Sequence, residues 1–133
     1  MNKLNNKLEL NQVLTKLQDL LLIHLLVESV DWEEENKIFV QIASYRDPQL
    51  VPTIQDMLKK AKYPNNLIFG ICWQYDESEP VDMFDDNPNF RVAKYHYSES
   101  QGLGWARHIT NTLYSGETYT LQIDSHHRFV QDW

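Results

Sequence analysis

The sequence predicts an α/β fold built on a mostly parallel sheet, and three observations carry that reading. Residues 38–43 and 67–73 are short, almost wholly apolar runs, the pattern of strands covered on both faces. Residues 48–61 and 102–114 carry helical signals between and after those strands. A last strand-like run, 119–123, stops abruptly on the polar triplet Asp124-Ser125-His126. Strands alternating with helices fold by right-handed crossovers into a sheet with helices packed on its faces.

Composition bounds this reading. A chain of 133 residues with 42% hydrophobic and 12% aromatic content has the makings of one folded domain rather than a disordered segment. The net charge of −7, with Asp76, Glu77, Glu79, Asp82, Asp85 and Asp86 close together, argues against nucleic acid or an anionic membrane as partner. An anionic ligand therefore needs a local cation. The single Cys72 excludes an intrachain disulfide and suits a cytoplasmic protein. The longest apolar stretch, 20–27, is far short of the roughly 18 residues that cross a bilayer, so no transmembrane span or signal peptide is expected.

Taken in order, leucines at 10, 14, 17, 21 and 25 predict a helix over 8–30 with one buried face, and His24 reads as a packed or edge-exposed residue on it. The polar residues 31–36 read as a connector, giving a division into 1–36 and 37–133. After the first strand, Pro48 opens a helix to about residue 61 with Asp47 as its N-cap. Pro64-Asn65-Asn66 is turn chemistry, the second strand follows, and 76–89 is an acidic surface loop. A third strand is expected over 91–95. Ser100 then caps a helix whose apolar stripe is Leu103, Ala106, Ile109 and Leu113, and Ser115-Gly116 ends it before the fourth strand. In a Rossmann-like order 3-2-1-4 the first and last strands are neighbours, so residues 44–47 and 124–126 emerge side by side where such sheets bind ligands.

The residues at those strand ends carry a resemblance. Ile42-Ala43-Ser44-Tyr45-Arg46-Asp47, Ser100-Gln101-Gly102-Leu103-Gly104-Trp105-Ala106-Arg107 and Gln122-Ile123-Asp124-Ser125-His126-His127-Arg128-Phe129 together resemble the polypeptide α-N-acetylglucosaminyltransferase family, which is similar in turn to the polypeptide N-acetylgalactosaminyltransferases. The resemblance spans residues 37–133. It implies a GT-A fold, UDP-GlcNAc as donor, a divalent cation such as manganese, transfer with retention, and a hydroxyl of a polypeptide or glycan as acceptor. Asp124 and His126 match the family's Asp-x-His variant of the Asp-x-Asp motif and inherit its metal role. In such enzymes the region after this motif builds the acceptor cleft and commonly adds a metal ligand, so the chain is expected to be the N-terminal, donor-binding half, truncated after Trp133.

The chemistry of these side chains agrees. A nucleoside diphosphate leaving group concentrates negative charge, and a metal held by a carboxylate and an imidazole neutralises it. Asp124 and His126 offer a hard oxygen and a nitrogen donor, a set compatible with manganese. Arg107 reads either as the cation facing the diphosphate or as the partner of an acidic neighbour. Ser44, Tyr45, Arg46 and Asp47 form a loop placed to meet ribose or uracil, with Ser125 beside the metal ligands. Gln74 stands where many GT-A relatives carry an acidic uracil reader, and its amide can both donate and accept. Ser100 replaces a basic residue of the galactosaminyl relatives. His127 reads as a surface residue or a support to the ligands. No residue reads as a catalytic base. Two other readings stay open: a non-catalytic nucleotide-sugar-binding module, and an interaction domain holding zinc through Asp124, His126, His127 and at least one further ligand.

Overall fold

The computed structural model describes the backbone of residues 2–133 and the side chains of residues 6–26 and 36–133. Its contacts divide the chain into a first unit ending at Glu35 and a second, Asn36–Trp133. The first unit is one helix, α1 (Asn2–Glu35), longer than the periodicity predicts. Residues 31–35, expected in a connector, are helical because nothing from 2 to 35 is Pro or Gly. Within this unit the described apolar side chains are exposed. Leu10, Leu14, Leu17, Leu21 and Leu25 are each at least 49% exposed, as are Leu8, Leu20, Leu22, Ile23 and Leu26 between them. Apolar residues occur around the helix rather than on one stripe, and His24 is exposed with them. Among the described residues no helix is long and apolar enough to cross a membrane.

In the second unit, β1 (Ile38–Tyr45), β2 (Leu67–Tyr75), β3 (Phe90–His96) and β4 (Tyr119–Asp124) form one sheet in the order β3-β2-β1-β4, with every neighbouring pair parallel. The expected Rossmann-like order is thus the one observed. The helices are α2 (Leu50–Lys60) and α3 (Leu103–Thr112). Side chains alternate across a strand, which sorts the core into two layers. Val40, Ile42, Phe69, Ile71 and Trp73 pack with Leu50, Ile54 and Met57 of α2. On the α3 side, Phe39 meets Tyr114 edge-on at 5.7 Å, and Thr110 donates to the Gln41 amide oxygen at 3.2 Å. β4 is an edge strand, and Leu121 and Ile123 are its only partly buried positions.

Both helix starts differ from the expected caps. The N-cap position of α2 is Gln49, with no side-chain capping bond. Asp47 stands two residues upstream in an Asx turn, its Oδ1 accepting from the Gln49 N–H at 2.9 Å. At α3 the cap position is Gly102, at φ +92°, where an L side chain is strained. Ser100 Oγ accepts from its N–H at 3.3 Å. The stripe on α3 is also shifted: Ala106 and Thr110 are buried, whereas Leu103 is 56% exposed. Within the acidic loop, Glu79 is no free surface charge, since it accepts from Trp73 Nε1 at 3.0 Å and from the Asp76 N–H at 2.8 Å. Cys72 is fully buried, and burial pushes its thiol up to about 11.

Arg91 of β3 ties the turn after α3 back to the sheet. Its guanidinium donates to the Leu113 carbonyl at 2.9 Å and to Glu117 Oε1 at 2.5 Å, while the Ser115 N–H reaches Glu117 Oε2 at 3.0 Å. Burial alone would push the Glu117 carboxyl up, but the bonds from Arg91 and Ser115 outweigh it and hold it below the usual carboxylate range. A depressed folded-state value stabilises above the unfolded value near 4.5, and that contribution is lost as pH falls through the folded value. Glu117→Gln is therefore expected to cost about 1–3 kcal/mol near neutral pH and progressively less in acid. Urea denaturation across pH 3–7 checks this, and a penalty independent of pH would contradict it.

Candidate functional site

The carboxyl ends of β1, β2 and β4 open together beside the start of α3. A cleft of about 260 Å³ lies there, lined by Ala43, Tyr45, Gln74, Ser100, Gly102 and Leu103. Register explains the gathering: Ala43 pairs with Cys72 on one side and Asp124 on the other, and Tyr45 pairs with Gln74. These residues share the α3 face of the sheet.

Of the expected nucleotide contacts, Tyr45 and Gln74 face the cleft. Gln74 is buried and largely committed, with Nε2 donating to the Ser44 carbonyl at 3.1 Å and Oε1 accepting from Ser100 Oγ at 2.5 Å. The replacement of a basic residue by Ser100 thus goes with a clamp between β2 and the start of α3. Ser44 points to the other face, and its fully buried hydroxyl has no hydrogen-bond partner among the described residues. Arg46 adopts a left-handed conformation, φ 47°, and its N–H donates to the Gln74 carbonyl at 2.9 Å. Such a conformation costs a non-glycine residue on the order of 1–2 kcal/mol. Its side chain is drawn to Asp76 at 3.4 Å and over the Tyr97 ring at 4.5 Å.

Asp124 pairs with Ala43 of this cleft, and His126 follows two residues on. The Asp124 carboxylate is 55% exposed, and its partner is Arg107 of α3 at 3.6 Å. Both readings of Arg107 meet here, because the acidic neighbour it pairs with is itself the expected metal ligand. The His126 side chain is 64% exposed, and its Nδ1 lies 2.9 Å from Asp47 Oδ2. That bond to Asp47 raises the imidazole above its ordinary value against the opposing effect of desolvation, with the charges of Asp47 and Asp124 adding to it.

Asp47 is partly buried, with its side chain 17% exposed. Burial works to raise its carboxyl, but hydrogen bonds from Ser125, His126 and the Gln49 N–H hold it low. Ser125 Oγ donates to the same Oδ2 at 2.5 Å, so the buried Ser125 shares that oxygen with His126. Asp47 thus faces the histidine rather than the cleft.

Sequence reasoning missed Thr53. This residue of α2, fully buried, donates to the Ser125 carbonyl at 2.8 Å and accepts from the His127 N–H at 3.0 Å and Arg128 Nη1 at 3.3 Å. Beyond it, Asp56 accepts from the Phe129 N–H at 2.7 Å, Lys60 Nζ donates to the Phe129 carbonyl at 2.8 Å, and Trp133 Nε1 reaches the Met57 carbonyl at 3.1 Å. Residues 125–133 are thereby laced along α2, leaving the His127 ring exposed. A threonine inside a helix gives no sequence signal of this role.

Asp124 presents an exposed carboxylate and His126 an exposed imidazole whose Nδ1 is already engaged, oxygen and nitrogen groups of the types that divalent cations take. Among the described residues no group of three His, Cys, Asp or Glu side chains gathers as a metal site, so the further ligand that structural zinc requires is not among them. A family model described as Glycosyltransferase (GlcNAc) matches residues 37–87 and 82–133. Neither the curated proteins nor the solved structures contain a match to this chain.

Proposed function

The chain belongs to the GlcNAc glycosyltransferase family, and from that premise we propose that it carries the donor-binding portion of a metal-dependent transferase of GT-A type. The donor is a UDP-sugar, UDP-GlcNAc by family, and the sugar passes with retention to a hydroxyl on a polypeptide or glycan, as in the polypeptide α-N-acetylglucosaminyltransferases. The observation that supports the proposal is the ion pair of Arg107 with Asp124 at 3.6 Å, at the end of β4 where Asp124 pairs with Ala43 of the cleft lined by Tyr45 and Gln74. A lone buried thiol suits a cytoplasmic setting.

In this reading Asp124 and His126 hold a divalent cation, manganese by family, which supplies charge neutralisation on the departing diphosphate. Arg107 turns its guanidinium fork from Asp124 to a phosphate oxygen, so the same cation serves the empty and loaded states. Tyr45, exposed at the mouth of the cleft, offers a ring against the uracil, and the remaining Gln74 N–H offers a donor to it. Glycosyl transfer breaks the bond from the anomeric carbon to the diphosphate and forms one to the acceptor oxygen. A same-face displacement needs no enzyme base.

Isothermal titration of UDP into the chain, with manganese and then with a chelator, tests the proposal. Tighter binding with manganese is the expected result. Equal affinity in the two titrations would remove the metal from the reading.

A further inference from the structure

Two residues on or beside α2, far from the metal motif in sequence, hold the segment that carries His126. Thr53 grips the peptide units on either side of it, through the Ser125 carbonyl and the His127 N–H. Asp47 grips the ring itself, its Oδ2 lying 2.9 Å from Nδ1, while its Oδ1 is fixed by the Gln49 N–H at 2.9 Å. With both oxygens engaged and the carboxylate partly buried, Asp47 has one orientation available to it.

A carboxylate oxygen only accepts hydrogen bonds, so the ring nitrogen facing it must carry the proton. We infer that Asp47 is a positioning residue for the metal site: it fixes the neutral His126 ring as the Nδ1–H tautomer and leaves Nε2 as the lone-pair nitrogen that takes the cation. This rests on the metal reading proposed above. The reasoning is that of a metal-bound histidine whose second nitrogen donates to a carboxylate, an arrangement that sets tautomer and ring orientation together.

Asp47→Asn tests it sharply. The Gln49 N–H can only donate, whereas the Ser125 hydroxyl on Oδ2 can turn to accept, so the amide oxygen keeps the Oδ1 position and the NH₂ group falls where Oδ2 met Ser125 and the imidazole. An N–H donor there demands an unprotonated Nδ1 and moves the proton to Nε2, where it blocks coordination. Long-range ¹H–¹⁵N NMR of the full chain, at a pH where the ring is neutral, reads the tautomer directly, and titration with manganese alone reads the affinity.

The expected result is Nδ1–H in the wild type, Nε2–H in Asp47→Asn, and manganese binding weaker by about 10–100-fold in the variant. A wild-type ring protonated on Nε2 overturns the inference whether or not the variant folds, as does a variant that keeps both tautomer and affinity. His126→Ala separates this from the underlying proposal. If manganese affinity is unchanged by that substitution, the metal reading falls and the inference with it. If affinity is lost in His126→Ala but kept in Asp47→Asn, the role of Asp47 alone is wrong.

Discussion

Asp124→Asn is expected to weaken manganese binding by about 100-fold or more, since even the outer partners of metal ligands are typically worth 10–100-fold. The fold should be indifferent to the change. The Asp124 side chain is 55% exposed, and its one ion pair, to Arg107 at 3.6 Å, is of the surface kind that contributes little. The two effects on UDP have opposite signs, which makes the experiment discriminating. With manganese present the variant should bind UDP more weakly, because the neutralising charge has gone. With a chelator present it should bind UDP as well as the wild type or better, because Arg107 no longer shares its charge with a carboxylate beside the phosphates. An asparagine variant whose UDP affinity still rises on adding manganese would remove Asp124 from the ligand set.

Gly70→Ala is expected to have the largest effect on stability, about 3 kcal/mol, at the upper end of what overpacking costs. A Cβ at Gly70 would lie 2.1 Å from Phe39 Cζ and 2.6 Å from Cε2, both far inside contact distance. The Phe39 ring is fully buried, with Tyr114 against its edge and the Arg91 guanidinium 5.7 Å from its centre, so it has little room to move. Because the fault is volume, Phe39→Leu in the same chain should recover more than half the loss, although that substitution alone is destabilising. Urea melts of the three variants measure this. A midpoint unchanged by Gly70→Ala would mean the ring is not seated against the backbone of β2.

Much of this architecture was legible because the signals are local. The apolar runs of β1 and β2 and the breakers after each helix fix elements and order, and order 3-2-1-4 brings residues 44–47 to residues 124–126. What each of those residues does was less legible. Asp47 reads as a helix cap from its place before Pro48, yet its second oxygen is spent on Ser125 and His126, 78 and 79 residues along the chain. Gln74 reads as a base contact from its place at a strand end, yet most of its amide is used on Ser44 and Ser100. Hydrogen bonds across such separations depend on three-dimensional registration, which no spacing rule encodes.

The pairing of β1 with β4 has a consequence for how the site comes into being. Ile38 and Tyr119 are register partners about 80 residues apart in sequence, with the Tyr119 N–H donating to the Lys37 carbonyl at 3.0 Å, and closing so long a loop carries an entropic cost that must be met before the contact stabilises anything. β1 and β2 are separated by far fewer residues and can form the nucleus of the sheet first. During synthesis, Asp47 and Thr53 therefore emerge early and wait on a partly built scaffold until β4 arrives at the open edge of β1. The proposed metal ligands are thus carried in by β4, onto the surface of α2 that Thr53 and Asp56 present to the segment after it.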